Sequence, residues 1–521
     1  MKKVYTYSKM MLVCLVGTLI FLSLQAWAEV TMPMVDTGQV QCSDNYQIIT
    51  CPKTKGRPFF GQDANYQGNP PSYKDNQDGT VTDLVTGLMW STAVDETKVS
   101  LTEAKAIAEK MRLGGYSDWR VPSIKELYSL MHFAGDTGSP ERIGRSGYPT
   151  DAVPFIDTDY FDFRYGNTAA GERFIDAQWL SSTQYVSTTM DGMKTLFGVN
   201  FADGRIKGYG YQKQFGGPII KKFYARYVRG PKYGKNEFRD NGDGTVTDRA
   251  TGLMWMKNDS KIAMTWEDAL KYAENMVFAG YSDWRLPNAK ELQYIVDYTQ
   301  SPDTTGSPAI DPIFSTTPIV NEAGQKDFPF FWTSTTHKER SWPDKAVYIA
   351  FGRAIGQFMG QVVDVHGAGA QRSDPKTGSP QLGRGPQGDA VRIKNFIRLV
   401  RGGNVTARVS QAVTDRNRYP NKIRVLQNTS KISSDPSSWH MRPGNQMQMP
   451  GPRRQGQGMG QAAFIQHHDR NGDNKVSKSE FMGPPDHFRM FDKNNDGYIE
   501  ESEAPTGPPP GRLQGMHGPP R

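Results

Sequence analysis

DNQDGTVTDLVTGLMW at 75–90 recurs as DNGDGTVTDRATGLMW at 240–255, identical at 13 of 16 positions. The offset is 165 residues, and it is still 165 where GYSDWRVP at 115–122 returns as GYSDWRLP at 280–287. No insertion separates the copies over this span. A period this long exceeds the ~20–50 residues of solenoid units and marks a duplicated domain. Any fold proposed for this chain must therefore be built twice.

The two copies predict the same local structure. The Asp-Gly turn after Asp75 or Asp240 leads into Thr-Val-Thr, a short strand of a hairpin. Capping boxes follow, Ser100-x-x-Glu103 in one copy and Thr265-x-x-Asp268 in the other, each opening a helix. Gly114-Gly115 and Gly280 are expected to stop these helices. After the octapeptide, Ser123-x-x-Glu126 and Asn288-x-x-Glu291 open second helices. Leu127, Leu130 and Met131, matched by Leu292, Ile295 and Val296, give each an apolar face. Gly, Pro, Asp, Ser and Thr then dominate 134–178 and 299–330, which read as loops, before WLSST (179–183) and WTSTT (332–336). Strands are expected around FADGR and AFGRA, and each copy closes on a basic strand, YARYVRG or FIRLVRG. The expected class is α+β.

The ends of the chain differ from this body. Lys2, Lys3 and Lys9, an apolar run from Met10 to about Leu24 and Ala26-Trp27-Ala28 read as a signal peptide over 1–28. No later stretch reaches the ~20 apolar residues of a membrane helix, so no transmembrane anchor is expected after cleavage. An exported protein whose mature part holds only Cys42 and Cys51 predicts one disulfide between them, within a segment spanning 29–74. The formal net charge of +8 misleads. The leader lysines, and nine Lys/Arg against Asp415 and Asp435 within 404–460, account for it, leaving the remaining chain nearly neutral. Nucleic acid is thus a poor partner. The 404–460 stretch, rich in Gly, Pro, Gln and Met, reads as a disordered basic linker able to hold anionic polymers, with 508–521 a disordered tail.

The strongest chemical signal lies beyond that linker. Asp469, Asn471, Asp473, Lys475, Ser477 and Glu480 occupy positions 1, 3, 5, 7, 9 and 12 of one EF-hand loop. Asp492, Asn494, Asp496, Tyr498, Glu500 and Glu503 occupy them in a second. Ca2+ is a hard cation that takes six to eight oxygens, and this spacing supplies carboxylates, amides, a carbonyl at position 7 and a bidentate Glu at 12. Val476 and Ile499, at position 8, suit the strand joining paired loops. Gly497 holds the sharp-turn position 6, which Asn474 fills in the first loop. An EF-hand pair, a small all-α unit, is expected over 461–507. DNxDG at 75 and 240 resembles part of such a loop. There Lys74 or Arg239 falls where the first Asp belongs, and Val85 or Ala250 at position 12, so a plain hairpin is favoured.

The octapeptide carries Asp118 and Arg120, or Asp283 and Arg285, but no histidine, cysteine or activated serine accompanies it in both copies. It reads as a joint: Tyr and Trp in the core, Arg paired with Asp or Glu, and Pro122 or Pro287 introducing the next helix. Trp179 and Trp332 read as core rather than sugar platforms.

DGTVTDxxTGLMW, GYSDWRLP, Lys-Glu-Leu, WTST and a closing VRG together resemble the Lcl C-terminal domain family, over 75–230 and 238–403. The resemblance implies two tandem domains related to the C-type-lectin and formylglycine-generating-enzyme folds. Their first and last strands would meet, with long variable loops on one side. Some members are implicated in adhesion or glycan binding. The cysteine pair of a formylglycine-generating catalyst and the EPN, QPD and WND motifs of classical lectins are absent from both copies. The expectation is a periplasmic, secreted or cell-surface protein, not an enzyme, that binds calcium. Its loops 134–178, 299–330 and 354–391 would contact a glycan, envelope polymer or protein ligand. The alternatives are an enzyme with an unrecognised site in those loops and a calcium-stabilised structural protein.

Overall fold

The computed structural model describes residues 30–190, 192–212, 220–408 and 423–428, and, near the C-terminus, 465, 473–477, 480–481, 488 and 491–504. The expected leader (1–28) and tail (508–521) lie outside them. The chain divides into two units, 1–441 and 442–521. The first is α+β and mostly strand, and none of the described helices is long and apolar enough to cross a membrane.

Each copy opens on the expected hairpin. Tyr73–Asp75 pairs with Thr80–Asp83, which pairs with Met89–Ser91, and the closing Val228–Arg229 completes a four-stranded antiparallel sheet. Phe238–Asp240, Thr245–Asp248, Leu253–Met256 and Val400–Gly402 repeat it. The DNxDG carboxylates are occupied by their own turn. Asp78 Oδ1 accepts from Thr80 N and Oγ1, and Asp240 pairs with Lys257 at 2.5 Å.

The helices start at the caps read from the sequence. Ser100 caps Leu101–Lys110, Ser123 caps Ile124–Ser129, Thr265 caps Trp266–Asn275 and Asn288 caps Ala289–Tyr294. Their stops differ from expectation. The longer helices end where Met111 and Met276 turn extended, before the glycines are reached. Gly114 and Gly115 (φ +59° and +79°) instead shape the turn into the octapeptide. In the second copy Ala279 at φ +51° and Gly280 take these places.

The two copies are fused rather than strung in tandem. Gln178–Thr189, Met193–Asn200 and Arg205–Gly210 from the first join Phe330–Glu339, Trp342–Ala350 and Gln371–Pro375 from the second in one six-stranded antiparallel sheet. The junction is Gln371 opposite Ile206. One core cluster runs through both copies, including Trp90, Trp179, Trp255 and Leu292. The short helices exchange contacts across a pseudo-two-fold axis. Lys125 Nζ donates to Tyr294 O (2.6 Å) and Lys290 Nζ to Ser129 O (2.9 Å), and these pairs are equivalent under the 165-residue shift.

Region 354–391, expected as a ligand loop, is largely strand. Besides Gln371–Pro375 it contains a separate sheet ordered Gln361–Asp364, Ile355–Phe358, Asp389–Val391, Gln381–Arg384. Its polar, glycine-rich composition serves tight hairpins, as at Met359-Gly360 (φ +51° and +81°) between paired Phe358 and Gln361.

The N-terminal segment is woven into the second copy. Cys42 and Cys51 form a disulfide. Gln39 exchanges hydrogen bonds with Thr336 O and N (2.7 and 2.9 Å), and Asp63 accepts from Thr37 and Thr335. The expected linker also begins within the fold. Thr406–Ala407 pairs with Tyr66–Gln67, and Leu426 N donates to Phe163 O.

In the C-terminal unit Val476–Ser477 pairs antiparallel with Tyr498–Ile499, over a core of Ile465, Val476, Phe488, Ile499 and Ala504.

Candidate functional site

The octapeptides are joints whose polar groups are satisfied. Arg120 makes a two-pronged contact with Glu126 (2.6 and 2.8 Å) and Arg285 with Glu291 (2.7 and 2.7 Å). Each Glu also closes its helix's capping box, so one side chain fixes both the loop and the helix start. Trp119 and Trp284 are buried and donate to Leu113 O and Phe278 O. Asp118 and Asp283 hold the closing strands through Arg229 and Arg401, both at 2.7 Å. The tyrosine departs from expectation. Tyr116 is 40% exposed, its ring covered by the Arg229 guanidinium at 3.5 Å, because the extended backbone turns it outward. Trp179 and Trp332 are fully buried core.

The candidate ligand site lies at the seam between the copies. The hairpin joining Phe330–Glu339 to Trp342–Ala350 turns on Arg340 and Ser341, both left-handed (φ +57° and +65°), with Glu339 opposite Trp342. Two-residue hairpin turns of this kind favour Asn-Gly, so Arg-Ser here carries local strain. The first copy holds it in place. Arg340 N donates to Thr137 Oγ1 (2.8 Å), Ser341 N to Asp136 Oδ1 (3.0 Å), and Lys338 pairs with Asp136 (3.2 Å).

Beside this turn is a cavity of about 170 Å³. Pro140, Ile143, Pro149 and Phe174 of the 134–178 loop form an apolar wall, and Asp203, Arg205, Glu339 and Arg340 supply the polar side. Arg205 reaches Glu339 Oε2 and Ser373 Oγ, both at 3.1 Å, while Lys345 and Arg384 approach the same Glu339 oxygen at 3.4 Å. Burial opposes ionisation of Glu339, yet Arg205 and Lys345 hold its carboxyl far below the usual range. Burial likewise opposes ionisation of Asp203, and Lys207 and Arg205 keep it lowered. Two buried atoms have no hydrogen-bond partner, Asp203 Oδ1 and Arg205 Nε.

His337 braces the floor, its Nε2 at 2.9 Å from Asp203 O and its Nδ1 at 3.0 Å from Ser373 Oγ. With Nε2–H donating to the carbonyl, the serine hydroxyl donates to Nδ1, the polarity a nucleophile would need. Ser373 does not line the cavity, however, and burial with Arg205 nearby lowers His337 to about 3. The contact positions Arg205; it does not activate Ser373.

Asp469 and Asn471 of the first acidic loop lie outside the described residues. Asn474 and Gly497, the two position-6 residues, are left-handed (φ +61° and +87°), and the position-8 residues Val476 and Ile499 face each other. Lys475 Nζ bridges to Glu500 at 2.6 Å, and Ser477 donates to Glu480. In the second loop Glu503 accepts from the amides of Lys493, Asn494 and Glu500. Asp496 accepts from Tyr498 N and Asn494 Nδ2. Among the described residues no three acidic, histidine or cysteine side chains converge as a cage. Yet Asp492 Oδ1 is buried with no hydrogen-bond partner, beside an all-oxygen donor set, and this arrangement fits a hard divalent cation.

Sequence reasoning placed the 134–178 loop at the site and missed Asp203, Arg205, Glu339 and Arg340. The one available signal was an Asp-x-Arg turn in FADGR that the second copy's FGRA does not keep.

A family model described as the Lcl C-terminal domain matches residues 79–229 and again 244–363, together just over half of the chain. No curated protein and no solved structure matches it.

Proposed function

From a chain that belongs to the Lcl C-terminal domain family and carries that domain twice, we infer an exported, calcium-binding protein that holds a ligand rather than transforming it. The calcium reading rests chiefly on the second acidic loop, where buried Asp492 Oδ1 lacks a partner and oxygen donors stand at EF-hand spacing. Asp492, Asn494, Asp496 and Glu503 would bind through side chains and Tyr498 through its carbonyl, with Glu500 direct or through water. Asp469, Asn471, Asp473, Lys475, Ser477 and Glu480 would serve the first loop.

A C-type-lectin-like fold for each copy is part of this reading, supported by the pairing of opening and closing strands and by the long loops between. Export is inferred from the leader-like first 28 residues, and agrees with the Cys42–Cys51 disulfide. The ligand is proposed to be a glycan, envelope polymer or protein, met by the 134–178 and 299–330 loops. Calorimetry of the mature chain should show one or two calcium sites; no heat at millimolar calcium removes the calcium reading. Retention on immobilised envelope polymers at low salt, with and without calcium, tests the ligand reading, and no retention in either condition refutes it.

A further inference from the structure

We propose that the seam cavity seats a single hydroxylated ring, the size of one sugar unit. This rests on the reading of the protein as a ligand binder and assigns where and what it binds. At about 170 Å³ the cavity is smaller than the ~300–1,000 Å³ sites of drug-sized ligands. It suits one ring.

The chemistry of the lining selects among small ligands. Asp203 Oδ1 is an open acceptor and Arg205 Nε an open donor, both buried, and both residues line the cavity. Glu339 gathers Arg205, Lys345 and Arg384 on Oε2, leaving Oε1 outside those contacts. The Arg340 guanidinium makes no ion pair or hydrogen bond with any described residue. Acceptors and donors therefore alternate around one small space. A hydrocarbon would leave them unsatisfied, at ~1–3 kcal/mol for each buried group. A metal ion would meet two guanidinium groups, and a simple anion would meet Asp203 and Glu339. Neighbouring hydroxyls, each both donor and acceptor, match all four residues. The opposite wall is apolar, and Pro140, Ile143 and Phe174 offer a surface for the C–H face of a ring.

The strained turn places this chemistry. Arg340 stays left-handed because Thr137 and Asp136 of the other copy hold the turn's amides, so the guanidinium is set at the cavity without an ion pair of its own. Neither copy alone could form the site, since the wall, Asp203 and Arg205 come from the first and Glu339 and Arg340 from the second.

The test titrates the full mature chain with a panel of free hexoses, N-acetylhexosamines and deoxyhexoses, and in parallel with free amino acids, by saturation-transfer NMR and calorimetry. Arg340→Ala and Phe174→Ala are compared with wild type, with thermal unfolding as a check on the fold. At least one sugar should bind wild type, and about tenfold or more weaker in both variants at unchanged unfolding temperature. Binding of amino acids alone, binding of no probe, or sugar binding unaltered in both variants overturns the proposal. Envelope-polymer retention that persists in Arg340→Ala also removes the seam site while leaving the wider binding reading intact; loss of retention in wild type removes both.

Discussion

Replacing Arg285 with alanine should cost clearly more stability than replacing Arg120, although the two occupy the same position of the duplicated octapeptide. In the Arg285–Glu291 pair the side chains are 5% and 2% exposed; in Arg120–Glu126 they are 30% and 3%. The carboxylates left behind also differ. Glu126 would keep the amides of Ser123 and Tyr233, whereas Glu291 would keep only that of Asn288. Tyr66 of the N-terminal segment lies 5.6 Å from the Arg285 guanidinium, so water reaches the second joint less easily. Stranding a buried charge costs ~3–5 kcal/mol, whereas losing charge-assisted hydrogen bonds near water costs ~1.5–3 kcal/mol. Arg285→Ala should therefore lie about 1–2 kcal/mol below Arg120→Ala. Urea unfolding followed by tryptophan fluorescence reads this directly, because Trp284 and Trp119 adjoin the two sites. Arg285→Met combined with Glu291→Gln should recover part of the loss, since glutamine keeps the capping box without the charge. Equal costs for the two alanine variants, or a double variant no better than Arg285→Ala, would refute charge burial as the cause.

Other expectations are briefer. Cys42→Ser with Cys51→Ser should cost ~2–3 kcal/mol through the small loop released, seen as a lower unfolding midpoint that reductant reproduces in wild type. Burial, with Asp36 beside it, raises Asp63 from 3.8 to about 7. The folded state therefore keeps a proton that the unfolded state releases, and this contribution to stability declines as pH rises from about 4 to 7 and is gone above. Wild type should weaken relative to Asp63→Asn over that window, by at most ~1.4 kcal/mol per pH unit, in unfolding midpoints from pH 5 to 7.5. Glu503→Gln should remove one calcium equivalent in calorimetry while the Val476–Ile499 pairing persists; unchanged stoichiometry would place the ion elsewhere.

The features legible in the sequence are those fixed within a few residues. Asp-Gly set the hairpins, and the Ser-x-x-Glu and Asn-x-x-Glu spacings set helix starts, because each cap is a bond between residues three apart. The helix stops were misplaced because glycine there serves a later turn. The fusion of the copies had no local signature, since it hangs on Gln371 meeting Ile206, 165 residues away. Region 354–391 looked like loop because hairpin glycines and polar edge strands have a loop's composition. At the seam, Glu339-Arg340 reads as an ordinary solvated turn until Asp203 and Arg205 arrive from the other copy. The acidic loops stood out because cation binding imposes its spacing on twelve consecutive residues.

The duplication also explains why the joints repeat while the seam does not. Each octapeptide works inside its own copy, and the Lys125 and Lys290 contacts lie near the pseudo-axis, where one side chain must serve both halves. Away from the axis each copy's loop meets the other copy's hairpin, so the same contact occurs in two chemical versions. In one, Asp136 and Thr137 hold the Arg340-Ser341 turn over Asp203 and Arg205. In the other, Thr304 donates to Val186 O, and the nearby lining is Gln184, Ser187, Thr188 and Lys194, without a carboxylate. Symmetry preserves what both halves need in order to pack. It leaves the two off-axis seams free to diverge, and only the first has gathered buried acid and guanidinium groups whose hydrogen bonds the fold itself leaves incomplete.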